Sequence, residues 1–293
     1  DAFTWRKLNY NWPNHIIPQQ RDFLVGENGN ELVRMNAKTS LRLFSYFLLG
    51  YSELPCIYNS IVPHSAIQRV ISNTSSKKFF AGVIPDVYSS FVLANELEHY
   101  YYSEFSLTLN GASDKSSGVL QGLPRISKKQ KKLIPDAMES GTEYHKDIGP
   151  FSSSIASIAL GEYLLAKDKI TDFKGATPSW FMYVLYLIRE AKFSQKPSAI
   201  LAAAHFTAKR RMLPIWVSQK NSYPKQSSSA SFRGSIKLNP KLIKNAEDAS
   251  ILLSDLHSSP YRYKKMSILT FLRNTISAIT VNFLKHLRYF ATR

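Results

Sequence analysis

The sequence predicts a mainly α fold: a helical domain with an extended N-terminal arm and long basic loops. Three observations point there. Apolar residues recur on a 3.6-residue period in several stretches, most clearly over 177–217. Residues 1–36 carry aromatic anchors without any helical period. Between the periodic stretches lie runs rich in Gly, Ser and Lys. The expected organisation is an arm over 1–36, a first helical lobe over 37–110, a basic loop or protrusion over 111–147, and a second helical lobe over 148–293 that ends in a basic helix.

In chain order, Trp5, Tyr10, Trp12, Phe23 and Val25 anchor the arm and are separated by Pro13, Pro18, Gly26 and Gly29. Asn28–Gly29 suits a tight turn between two short strands. Such an arm lies either on its own core or on a neighbouring subunit. The first helix is expected over 37–49, closed by Gly50 and Pro55, and a second after Pro63. Asp86 is read as the cap of a long helix over 87–105. Residues 110–147 are broken by six glycines and prolines, Gly111 to Gly141, and hold the basic run Arg125, Lys128, Lys129, Lys131 and Lys132. A helix over 151–166 follows. Thr177 and Pro178 then open a helical hairpin, with Trp180, Phe181, Val184, Leu185, Ile188 and Ala191 on one stripe. Residues 194–197 break it, and an alanine-rich second helix closes on Lys209, Arg210 and Arg211 before Pro214. Residues 221–239 form another polar connection. After Pro260, Leu269, Leu272, Ile276, Ile279, Phe283 and Leu287 follow a near-heptad spacing among the cations. That basic amphipathic helix has three readings: packing on the core, pairing with a second subunit, or lying on an anionic surface.

Charge is the strongest compositional feature. The chain of 293 residues carries a formal net charge of +17. From Ala191 onward 18 Lys and Arg face only three acids, Glu247, Asp248 and Asp255, a surplus of 15. Such a one-sided surplus repels itself unless an anion covers it, and nucleic acid is the commonest such anion. An acidic protein or a membrane surface are the other readings. The expected nucleic-acid contacts are Arg125, Lys128, Lys129, Lys131, Lys132, Lys209, Arg210, Arg211, Arg262, Lys264 and Lys265. Tyr261 and Tyr263 interleave with the last group, which could add base stacking to charge. No sequence-reading motif accompanies them, so backbone binding with steep salt dependence is expected. The longest uncharged C-terminal run, 274–284, is well short of the roughly 20 residues a membrane span needs, so no membrane insertion is expected. A single cysteine, Cys56, excludes an internal disulfide. The chain begins at Asp1, and a further arm upstream is expected.

No catalytic constellation stands out. Glu96 and His99 form one E-x-x-H pair, but a carboxylate-bridged metal pair in a helical bundle needs a second, and none exists. No metal site, no cofactor and no catalytic residue is therefore expected. Phosphate-loop, dinucleotide, hydrolase-elbow and kinase motifs are absent. Cys56 and His64 are formally a nucleophile and a base, but Cys56 lies between Pro55 and Ile57 and reads as a buried small side chain.

The arm from Trp5 to Phe23, the aromatic helices over 87–105 and 180–193 and the loops between them carry a resemblance. In overall character the chain resembles the helical capsid proteins of small plant and fungal double-stranded RNA viruses of the partitivirus type. The resemblance implies a viral structural protein found in the virion and the host cytoplasm, built from homodimers that exchange their arms around an RNA genome. Trp5, Tyr10, Trp12 and Phe23 of the arm would then form the oligomer interface. The heptad-like spacing of Leu269, Leu272, Ile276, Ile279 and Phe283 independently favours a protein partner for their helix, so these residues are expected in the interface too. The charge of +17 departs from that pattern and suits a nucleoprotein coating single-stranded RNA at least as well. A basic component of a ribonucleoprotein such as an organellar ribosome is the alternative. An enzyme acting on nucleic acid is the third reading.

Overall fold

The computed structural model describes residues 1–25, 29, 31–82, 84–116, 145–148, 154–191, 194, 196–213, 235–237, 248 and 262–263. Its centre is a pair of parallel strands, β1 (Ala2–Asn11) and β5 (His99–Ala112). Both are rich in aromatic and β-branched residues, which favour a pleated, half-buried surface. β1 alternates, with Ala2, Thr4, Leu8 and Tyr10 buried toward one side. Four more strands join them: β2 (Phe23–Val25), β3 (Glu31–Asn36), β4 (Ser60–Ile61) and the short β6 (Ser235–Lys237), with β7 (Arg262–Tyr263) at the far edge. The order is β6-β2-β1-β5-β3-β7, and β4 pairs the N-terminal half of β1. Parallel neighbours require a long crossover, and residues 12–98 supply it.

The mainly α expectation is therefore wrong, because a mixed seven-stranded sheet lies beside the six helices of the described residues. The fold is α/β. Two misreadings account for this. The helix expected over 87–105 stops at Glu96, Leu97 turns to extended backbone, and 99–112 is the longest strand. The 1–36 stretch supplies β1 to the middle of the sheet, with β2 and β3 on opposite sides of the β1–β5 pair. β2 and β3 thus do not pair with one another across Asn28–Gly29; instead the Gly29 N–H donates to the Glu104 carbonyl at 3.2 Å. Trp12 lies against Gly111 so closely that a Cβ there would stand 2.3 Å from the indole nitrogen.

The helices are α1 (Ala37–Ser45), α2 (His64–Asn73), α3 (Pro85–Glu96), α4 (Ile155–Lys169), α5 (Trp180–Ala191) and α6 (Pro197–Arg210). Every residue of α3 from Val87 to Asn95 is buried, and the hydroxyls of its polar Ser89 and Ser90 are satisfied by the Asp86 carbonyl. Asp86 is inside its first turn rather than at the cap, with Pro85 ahead of it and Ile84 at the cap position. The α5–α6 hairpin forms where the periodicity places it, and the small Ala203, Ala204 and Ala208 of α6 are all buried. Its first cap is Ser179, not Thr177: the Met182 N–H donates to Ser179 Oγ at 3.4 Å, and the Ser179 N–H is tied to the Ser45 carbonyl at 2.8 Å. One hydrophobic cluster runs from Ala2 and Tyr100 through α1, α3 and α4 to Ala208. At its heart Phe44, Phe91 and Tyr163 meet with ring centroids 4.6 to 5.3 Å apart.

Candidate nucleic-acid interface

Of the expected cations, Lys209, Arg210 and Arg211 can be placed in full. They close α6, where cations complement the helix's negative end. Lys209 and Arg210 are exposed and Arg211 is half-buried. Two of the three are partly committed. Arg210 donates to the Lys146 carbonyl at 2.6 Å and approaches Asp147 at 3.4 Å, while Arg211 reaches the same carboxylate at 3.0 Å. Arg211 also lies over the Trp180 ring, 4.0 Å from its centroid, and Arg210 lies 5.9 Å from Phe206. Even with Asp147 and Asp168 close by, Lys146, Lys209, Arg210 and Arg211 leave this end of the hairpin positive. Its geometry suits an anion that spans several cations, as a phosphate backbone does.

Arg262 lies in β7, where its backbone pairs with Glu31. Arg125, Lys128, Lys129, Lys131, Lys132, Lys264 and Lys265 lie outside the described residues, as do Leu269, Leu272, Ile276, Ile279 and Phe283. The described arm residues lie in the chain's own fold, one of the two placements expected for the arm. Trp5 and Tyr10 are buried within the chain's own fold, so neither offers a face to a partner. Trp5 donates its indole N–H to Thr108 Oγ1 at 2.9 Å. Trp12 is half-buried and meets Tyr10 edge-on at 5.0 Å; Phe23 is half-buried in β2.

A polar cleft of about 440 Å³ opens where the C-terminal ends of α2 and α3 meet the turn after α4. Three of its charged residues are held by structural contacts. Lys77 Nζ donates to the Ser72 carbonyl and Lys174 Nζ to the Asn95 carbonyl, so each ammonium caps a helix end. Glu96 accepts from Asn73 Nδ2 at 3.1 Å and Asn95 Nδ2 at 3.2 Å, with Arg69 at 3.8 Å. Glu96 ends α3 whereas His99 begins β5, so the E-x-x-H pair does not share a helix. Among the described residues no group of three or more His, Cys, Asp or Glu could hold a metal ion. Cys56 is buried, its thiol 3.2 Å from the Asp86 carbonyl, and His64 instead contacts Gln68. No helix among the described residues is long and apolar enough to cross a membrane.

One cluster behind the cations carries no local signal in the sequence. Buried His145 accepts the Asp147 N–H on Nδ1 at 3.2 Å, so its proton is on Nε2 and points at Asp168 Oδ2, 2.9 Å away. This pair fixes the turn at 145–148, and with it Asp147, against the end of α4. Compared with known proteins, the chain matches no protein-family model, no curated protein and no solved structure.

Proposed function

We propose that this protein binds RNA through the phosphate backbone, without reading sequence, and assembles on it as a structural protein of the capsid or nucleocapsid kind. The observation that carries this reading is the charge asymmetry: 15 of the net +17 fall after residue 190. The positive end of the α5–α6 hairpin supports it, because Lys209 and Arg210 are exposed there beside Phe206. The α/β fold removes the helical architecture that the capsid resemblance implied, so charge rather than fold supports the proposal. A specific observation favours a second reading, a ribonucleoprotein component that does not self-assemble: Trp5 and Tyr10 are sealed inside the chain and cannot bridge subunits.

The purified chain, imaged by negative-stain microscopy with and without nuclease and checked by its 260/280 nm absorbance ratio, tests the reading. Shells or filaments that carry RNA are the expected outcome. Bound RNA without assembly selects the ribonucleoprotein component. A monodisperse monomer free of nucleic acid at moderate salt overturns both. The affinity for RNA should also fall steeply with salt, with a log–log slope of about −0.7 per phosphate neutralised on a single strand.

A further inference from the structure

We infer that the face of the sheet turned away from the helices is a stacking platform for the bases of single-stranded RNA. The inference rests on the RNA-binding reading above and names the form of RNA and a second surface that meets it.

The register sets one row across four strands. Phe3 of β1 pairs with Ile61 of β4 on one side and with Tyr101 of β5 on the other, and Tyr101 pairs with Arg34 of β3. Strand neighbours at the usual spacing of about 4.8 Å make this a row of roughly 14 Å. The opposite face belongs to the core, since Ala2 and Tyr100 join the hydrophobic cluster and the Tyr100 hydroxyl donates to Ser40 of α1 at 3.0 Å. The row faces away from those helices. Ile61 is 66% exposed, Arg34 is exposed, and Phe3 and Tyr101 are half-buried. Behind Phe3 stands Trp5, 5.9 Å away and tied to Thr108, so the ring is held by a fixed neighbour.

Charge selects the occupant. Beyond Trp5 on the same face comes Lys7, and neither Lys7 nor Arg34 has an ion-pair partner among the described residues. Glu98, beside His99 at the end of the row, has its side chain turned to solvent. Aromatic rings flanked by unpaired cations fit splayed bases with phosphates alongside. A duplex keeps its bases stacked inward and cannot use such a row. A second copy would bring another +17 against the same cations.

The test uses the full chain, a fluorescein-labelled 12-nucleotide oligouridylate and a 12-base-pair RNA duplex, with affinities read by anisotropy. Phe3→Ala with Tyr101→Ala should weaken the single strand on the order of 10-fold for each ring and leave the duplex and the salt slope unchanged. Arg34→Glu, at an exposed position, should also weaken the single strand. If the ring variant does not fold, cross-linking by 5-iodouridine RNA on the unaltered chain decides: a cross-link to Phe3 or Tyr101 supports the platform, and cross-links confined to other residues overturn it. A folded ring variant that binds the single strand like the parent also overturns it, with the backbone-binding reading intact. Failure of the parent chain to bind either RNA overturns the RNA-binding reading itself.

Discussion

Glu162 is fully buried on α4 and accepts the Ile84 N–H at 2.7 Å, which fixes the turn that launches α3. Burial of Tyr88, with the Glu162 carboxylate beside it adding a smaller push, raises its hydroxyl to about 12. Gly82 makes room for this arrangement: a Cβ there would lie 1.9 Å from the Glu162 carboxylate and 2.7 Å from Tyr88. Gly82→Ala should therefore cost about 1–3 kcal/mol in a urea melt, as overpacking of a closed site does. An unchanged melt would mean that the loop gives way freely. His15 offers a pH test. Burial holds its pKa below the usual 6.5, against a smaller opposing pull from the Ile17 carbonyl, and its Nδ1 accepts the Ile17 N–H at 3.2 Å. The unfolded chain then binds a proton at a pH where the folded chain does not. The stability that neutral His15 allows is complete above pH 6.5 and is lost as pH falls below it. Between pH 7.5 and 5.5 the thermal midpoint of the parent should drop more than that of His15→Gln. Equal drops would show that His15 titrates alike in both states.

At the scale of elements, the N-terminus of α4 is held by a residue of α5. Glu190 receives the Ser154 hydroxyl at 2.7 Å and the Ile155 N–H at 2.8 Å, placing a carboxylate at the positive end of the helix. Glu190→Ala should destabilise the chain by about 1–3 kcal/mol, and Glu190→Gln by less, since one acceptor oxygen remains. Equal losses for the two variants in denaturant melts would rule out a hydrogen-bonding role. Glu190 was legible only as part of the α5 pattern, because its partners lie 34 to 36 residues upstream. The same distinction explains the rest of the reading. The α5–α6 hairpin was legible because its periodicity, Pro197 and buried alanines are local signals. The end of α3 was not, because Tyr100, Tyr101 and Tyr102 extend an apolar run without marking the change of period, and their strand pairing comes from β1 and β3. For the candidate site, the exposed end of α6 could be read from Lys209–Arg211, but its counter-charge Asp147 is more than 60 residues earlier. The row of Arg34, Phe3, Tyr101 and Ile61 exists only once four strands are in register, which no local pattern announces.

On the scale of the whole molecule, the uneven charge makes stability depend on what surrounds the chain. The fold closes one hydrophobic cluster from Ala2 to Ala208, while most of the positive surplus follows α5 in sequence. Repulsion among those cations opposes compaction at low ionic strength, and it is relieved either by screening or by a bound polyanion. The two routes can be separated. In 50 mM salt, single-stranded RNA at about 100 times its dissociation constant should stabilise the folded chain by about 2.7 kcal/mol, as any ligand that binds only the folded form does at that ratio. At 500 mM salt, with the RNA concentration unchanged, the counterion gain on binding is lost and the increment should shrink toward zero. The RNA-free chain should meanwhile melt higher at 500 mM than at 50 mM, because screening relieves the same repulsion. An RNA-induced shift that persists undiminished at high salt would argue against a backbone-charge contact and for one made mainly through bases. No shift at either salt would leave the positive surplus without RNA as its counterpart, and an acidic protein would then be the partner to test against it.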